Sequence, residues 1–485
     1  MGYNTHMPPR LKRCLWVQYP VILATIILLL VVPRWLEGQS NLQQARMWIT
    51  DGEHSLAAGA LEAAAKRLPW EDSLWQQAGS SALEGGDTAE AIRLFEQARH
   101  RGQLSLDGWV VLGDLYTEQG DPVRAIETWS EAMSLFKTGS LLGDPGPLLN
   151  RLVDVAHQED NFVSEEALLG DWLAADPQAA YAHYRLGLVL SLTDPDRALD
   201  EILLATSLDP ELDAPVQAMR LALSSALSTD DRAYQMLITG RGLANLSEWG
   251  LAREAFRQAL EMDNSYGEAW AWLGEAEQQL GGDGFAHLQR AIFLAPDSAM
   301  VQVLVGLYWQ REGEMSLAIT TYRNAVALEP FNPAWQLTLA GAYEGAGDLI
   351  SALEHYSLAT DLGPGEAIYW RMLAVFCLRN GVELMPTGVP AARRLVVLAP
   401  DDWLSHDIAG QIWLDSGNLT QALDEFQRAI ELDPSQAAPY LHLGVLYLQT
   451  GDRQKAFDHL VNTHRLEPHG PLGVQAQRLL DQYFP

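Results

Sequence analysis

Histidine, cysteine and acidic side chains at catalytic or metal-ligand spacing are what an enzyme needs, and this chain of 485 residues offers few. It has no HExxH, which would set two imidazoles on one helix face, no GxxxxGK[ST] phosphate loop and no GxSxG elbow. Gly240-Arg241-Gly242 opens like a dinucleotide loop but lacks the third glycine and falls within a helical run, so a nucleotide site there is disfavoured. His459, His464 and His469 recur every five residues, a spacing that does not stack them on one helix face, so they read as surface histidines rather than metal ligands. Cys14 and Cys377 are the only cysteines, which excludes a disulfide framework and a cysteine metal site. The sequons at Asn245 and Asn418 lie in or beside expected inter-helix turns. These residues point to no catalytic centre, no cofactor and no metal.

The net charge is −31, from 32 basic and 63 acidic residues. Residues 1–36 contribute Arg10, Lys12, Arg13 and Arg34 and no acid, so the rest is more acidic still. Such a body repels phosphate backbones and argues against nucleic-acid binding. It is explained by the solubility of a large surface, with a preference for cationic partners or divalent cations as the sharper alternative.

Leu15–Val32 is uncharged over 18 residues, long enough at ~1.5 Å per residue to cross most of a ~30 Å hydrocarbon layer. Trp16, Tyr19 and Trp35 stand where interfacial aromatics belong. A signal-peptidase site is poor after the run, and Cys14 precedes the run instead of following it as in a lipoprotein. Residues 1–14 are therefore expected to be a short cytoplasmic tail and 15–32 an uncleaved single-pass anchor, with the remainder on the extracytoplasmic side.

The elements after residue 37 follow a 34-residue period. In 299–332, Val305, Gly306 and Trp309 mark one helix, and Ala318, Tyr322, Ala325 and Pro330 the next. The pattern returns as Leu339, Ala340, Tyr343, Gly347, Ala352, Tyr356, Ala359 and Pro364. It appears again as Ala409, Gly410, Trp413, Gly417, Ala422, Phe426, Ala429 and Pro434, and near the N-terminus as Trp109, Gly113, Tyr116, Gly120, Ala125, Trp129 and Ala132. Small residues admit close helix approach, aromatics fill the gap to the next hairpin, and glycine and proline mark the turns. This pattern resembles the tetratricopeptide repeat.

The resemblance covers roughly 430 residues and implies an all-α fold: a right-handed superhelical solenoid of about twelve helical hairpins, preceded by one transmembrane helix. A first block of about five units is expected at 38–212, an unpaired interrupting helix at 213–232, a second block of about seven units at 233–470, and a capping helix at 471–485. Trp48, Trp75, Trp109, Trp129, Trp270, Trp309 and Trp413 fall in repeat slots, so core packing explains them better than carbohydrate binding. Trp172 occupies a slot meant for a small residue.

In the tetratricopeptide family the inner wall comes from the first helix of each hairpin. Carried onto this sequence, the wall comprises Val303, Leu307 and Gln310, then Leu337, Gly341 and Glu344, then Asp407, Gln411 and Leu414, and finally Leu441, Val445 and Leu448. The Lys/Asn/Arg clamp that some members use for peptide carboxylates has no equivalent at these positions. The resemblance thus implies a membrane-anchored, non-catalytic scaffold that binds one or more proteins or peptides, with no small-molecule substrate. The alternative is an accessory subunit of a glycan-processing or polysaccharide-export enzyme system.

Overall fold

The computed structural model describes residues 32–484, and the described residues form helices with no strand. The expected anchor at 15–32 lies outside them except for Val32, as do the tail and Cys14. Among the described residues no helix is long and apolar enough to cross a membrane.

Two compact units divide between Glu254 and Ala255. The first holds α1 (described over 32–50), α2 (His54–Arg67), α3 (Leu74–Glu84), α4 (Thr88–His100), α5 (Leu106–Glu118), α6 (Pro122–Lys137), α7 (Gly146–Gln158), α8 (Phe162–Ala175), α9 (Ala180–Leu190), α10 (Pro195–Leu208), α11 (Asp213–Ala226) and α12 (Arg232–Asn245). The division falls within α13 (Trp249–Met262). The second holds α14 (Gly267–Gln279), α15 (Phe285–Leu294), α16 (Ala299–Arg311), α17 (Met315–Leu328), α18 (Pro333–Gly345), α19 (Leu349–Leu362), α20 (Ala367–Asn380), α21 (Val389–Leu398), α22 (Trp403–Asp415), α23 (Leu419–Leu432), α24 (Ala437–Thr450), α25 (Arg453–Leu466) and α26 (Pro471–Tyr483).

Consecutive helices pair as hairpins: α3 with α4, α5 with α6, α7 with α8 and α9 with α10 in the first unit, and α14–α15 through α24–α25 in the second. The chemistry of the turn explains why. Gly86, Gly120, Gly347, Gly417 and Gly451 all sit at positive φ between paired helices, where glycine alone pays no Cβ penalty. The next residue, Asp87, Asp121, Asp348, Asn418 or Asp452, accepts the N–H three residues on and so caps the second helix. Packing depends on the small positions. A Cβ on Gly410 would lie 2.5 Å from the Phe426 ring, and one on Gly444 would lie 2.7 Å from Leu460. The cap at the C-terminal end is α26, whose Ala476 and Leu480 bury against Leu460.

One expectation changes. The helix at 213–232 is not unpaired: α11 packs on α12, where Gly242 leaves room for Ala222 and Met219 (a Cβ would stand 2.7 and 2.9 Å from them). That close approach accounts for Gly242 of the Gly240-Arg241-Gly242 run, which lies inside α12. The division between the compact units at 254/255 lies within α13. The long connection after α20 is a π turn, Leu384–Gly388, where a Cβ on Gly388 would sit 3.1 Å from that of Cys377.

Candidate functional site

The expected wall of the second unit splits into buried and accessible parts. Val303, Asp407, Leu414 and Leu441 are buried, so these four belong to the core instead of an open surface. The cause is contact between successive first helices, which closes this face where α20 meets α22 and α22 meets α24. Leu307, Leu337, Gly341, Glu344, Gln411, Val445 and Leu448 are half-buried, and Gln310 is exposed.

The polar groups of this wall are largely occupied by one another. Arg311 forks onto Glu275 of the preceding first helix, with one contact at 2.8 Å, and Glu275 is itself buried. Glu344 accepts from the Tyr356 hydroxyl at 2.7 Å, from Asn380 at 2.9 Å and from Arg379 at 3.3 Å. Asp407 pairs with His442 at 2.7 Å and accepts from Gln411 at 2.9 Å. Gln310 accepts from the Tyr322 hydroxyl at 2.9 Å. Steps of 35 or 36 residues, about one repeat, separate Arg311 from Glu275, Arg379 and Asn380 from Glu344, and His442 from Asp407. What remains open is an apolar strip of half-buried side chains.

The first unit holds a charged cluster that the repeat pattern does not announce. Arg185 of α9 is 5% exposed and donates to Glu165 of α8, at 2.5 and 3.2 Å, and to Glu248 at 2.7 Å. Glu165 is fully buried. His157 of α7 completes the set, 3.3 Å from Glu165 and 3.2 Å from Glu248. The carboxylates of Glu165 and Glu248 hold its pKa up, to about 9, against burial and the Arg185 charge. Arg185 also lies 2.7 Å from His157 Nδ1, so the two basic side chains together face two carboxylates. Burial alone would raise Glu248, but His157 and Arg185 outweigh it and leave that carboxyl low. The sequence signal was one charge, Arg185, inside the apolar run of α9.

The cluster joins turns that are distant in the chain. Asp160 and Ser247 occupy the turn position where other repeats place glycine, at φ 53° and 61°. Arg253 reaches Asp160 at 2.5 Å, a contact 93 residues long. Left-handed backbone thus adjoins the charge cluster at these two turns, with Asp160 itself exposed. Trp172, out of pattern in the sequence, packs its ring 6.2 Å from Tyr181.

The two largest of three cavities described in this unit lie along its helices. One of about 740 Å³ lies between α5, α6 and α7, with Trp129 and Ile126 on its floor and Asp114, Arg151, Asp154 and Glu159 around it. Arg151 forks onto Asp114 at 2.8 and 3.1 Å, while burial pushes the Asp154 carboxyl up. The other, about 640 Å³, lies along α3. Neither includes a wall residue expected from the second block.

The remaining chemical candidates take structural places. Trp75, Trp109, Trp129 and Trp413 are buried, while Trp48, Trp270 and Trp309 are half-buried. His459 stacks on Tyr447 with centroids 5.5 Å apart, and burial lowers its pKa. His464 Nδ1 lies 3.3 Å from the Gly473 carbonyl. Among the described residues no three His, Cys, Asp or Glu side chains are grouped to hold a metal ion. Burial pushes the Cys377 thiol up to about 11, which suppresses the reactive thiolate.

Comparison with known proteins agrees with this architecture. Tetratricopeptide repeat models match residues 77–133 and 306–367, and a TPR repeat model matches 410–451. The BBSome complex member BBS4 of Bos taurus is 40% identical over 65 residues, 13% of this chain and 12% of that protein. The peroxisomal targeting signal receptor of Candida albicans is 24% identical over 230 residues, 45% of this chain and 38% of the receptor. The chain thus spans well under half the length of these curated relatives. Among solved structures, YrrB, described as a TPR protein with an unusual peptide-binding site, is 20% identical with a TM-score of 0.33, covering 39% of this chain and 97% of that one. The Cut9–Hcn1 structure is 14% identical with a TM-score of 0.38, covering 92% and 96%. The hairpin turns, the small-residue contacts and the family-model matches together identify tetratricopeptide repeats in this chain.

Proposed function

We propose that this protein is a non-catalytic scaffold that binds an extended or helical protein segment along the first helices of its hairpins, and that residues 15–32 hold it to a membrane with the repeats on the extracytoplasmic side. The observation that carries the binding role is the accessible strip of Leu307, Leu337, Val445 and Leu448, left apolar because neighbouring charges pair with one another. A partner with hydrophobic anchors gains there by burying apolar area, at about 25 cal/mol per Å². The anchor rests on the uncharged run and on the basic residues before it. It would fix the partner's position and raise its local concentration.

The test is affinity purification of the tagged full-length chain from its native membrane, beside the double variant Leu337→Lys, Val445→Lys. A stoichiometric protein lost in the variant, with helical circular dichroism intact, supports binding along the strip. Retention of every partner by the variant, or capture of none by the wild type, refutes it. Ile27→Arg with Leu29→Arg should release the chain into the soluble fraction. Continued membrane retention would refute the anchor.

A further inference from the structure

Tryptophan packs inward nearly throughout this chain, and the exceptions fall in one place. Trp35 in the first turn of α1 is 45% exposed and Trp70 in the turn after α2 is 53% exposed, while every other described tryptophan is buried or half-buried. Both belong to the same end of the first hairpin. A Cβ on Gly38 of α1 would stand 2.5 Å from Leu68, and Arg67 reaches Glu37 at 3.0 Å, so the start of α1 lies beside the end of α2. Gly38, Leu42 and Ala45 form the inward stripe of α1, and Trp35 continues it one turn earlier. Leu68 is fully buried, and the chain then turns off through Pro69, so the stripe runs past the end of α2. Leu36, 56% exposed, adds to this apolar end.

What covers such an end follows from where the chain comes from. The described course of α1 starts at Val32, the last residue of the uncharged run Leu15–Val32. Trp35 stands one helical turn beyond it, an advance of ~5.4 Å, within the thickness of the headgroup layer of a bilayer spanned by that run. The contact of Gly38 with Leu68 brings Trp70 to the same level. An indole has an apolar body and an N–H donor, which suits that layer. Arg34, Lys66 and Arg67 flank the two rings, but Lys66 pairs with Glu62 and Arg67 with Glu37, each at 3.0 Å. With these charges paired and the body acidic, attraction to anionic lipid is not what seats this end. The opposite end of the hairpin, at Asp51, lies about 27 Å away along α1 at ~1.5 Å per residue.

We infer that Trp35, Leu36 and Trp70 seat this end of the first hairpin in the headgroup layer of the bilayer, so that the hairpin stands with its Asp51 turn away from the lipid. The inference rests on the membrane anchor proposed above and adds a second lipid contact that fixes how the first hairpin is held.

The experiment uses the full-length chain in phosphatidylcholine vesicles that carry a nitroxide on the lipid headgroup. Cys14→Ser removes one native thiol, and Cys377 is buried and stays in place. A fluorophore is attached through Glu71→Cys, beside Trp70, or through Asp51→Cys at the far turn, both exposed positions. The nitroxide should quench most of the emission at position 71 and leave that at 51 unchanged. Trp35→Gln with Trp70→Gln should restore the emission at 71, with circular dichroism unchanged and the chain still bound to vesicles. Adding phosphatidylserine should not increase the quenching. Equal quenching at both positions, quenching at neither, or quenching only with phosphatidylserine would overturn the inference. So would a disulfide between two copies through Glu71→Cys in place of quenching, which assigns this end to a second copy. The anchor is tested apart from it. If the wild type stays on vesicles with position 71 unquenched, only this inference fails. If Ile27→Arg with Leu29→Arg keeps both vesicle binding and quenching, and loss of the two tryptophans then releases the chain, only the anchor is refuted.

Discussion

The two units are made of the same hairpin but pair their charges differently. In the second unit the pairs run between neighbours: Arg311 to Glu275, Arg379 and Asn380 to Glu344, His442 to Asp407. In the first, Arg185 and His157 reach Glu248, 63 residues beyond Arg185, and Arg253 returns to Asp160. A ladder of neighbour pairs gives a stability that is nearly a sum over repeats, as expected for a one-dimensional array. A cluster joining distant turns makes its unit cooperative, because removing one member leaves the others charged and buried. The fully buried Glu165 beside Arg185 is where this difference is greatest.

That contrast can be broken most severely at Glu165. Glu165→Ala leaves Arg185 buried without its main partner and should cost about 3–5 kcal/mol, lowering the melting of the first unit as a whole. Replacing the pair together, Glu165→Leu with Arg185→Met, should recover much of that loss, since apolar residues of like volume often substitute for a buried ion pair. A single variant that melts like the wild type would remove the cluster from the account.

Arg311→Ala is the counterpart in the second unit. It strands the carboxylate of Glu275 and should cost about 1.5–3 kcal/mol. Hydrogen exchange should rise in α14 to α17 and stay unchanged around α24 and α25. Exchange rising evenly across the unit would show that the ladder is not local.

The pH dependence should separate the units more gently. Folding raises the His157 pKa from 6.5 to about 9, so its contribution is complete below about pH 6.5 and is lost as pH climbs through 9. Thermal melting of the first unit should therefore decline between those values, and His157→Gln should flatten the decline. An unchanged profile in that variant would mean the ring does not titrate within the cluster. Smallest is Ser247→Gly, which relieves a left-handed φ of 61° and should stabilise by about 0.5–1 kcal/mol after the glycine entropy is counted.

Local chemistry made much of this molecule legible. Glycine followed by Asp or Asn marked the turns, the 34-residue period marked the helices, and Gly410 opposite Phe426 marked the close contacts. Each is set by residues near in sequence, so each can be read along it. The pairing of α11 with α12 was less visible, because Met219 and Ala222 meet Gly242 only after the chain turns back. The wall was half legible for a similar reason. The register placed Val303, Asp407, Leu414 and Leu441 on the first helices, but contact between successive hairpins decided that they are buried. The cavity along α3 and the Glu165–Arg185–His157–Glu248 cluster required the tertiary structure altogether. Their residues come from several hairpins, and whether a charged side chain stays in water or is buried against another depends on what the neighbouring helices bring to it.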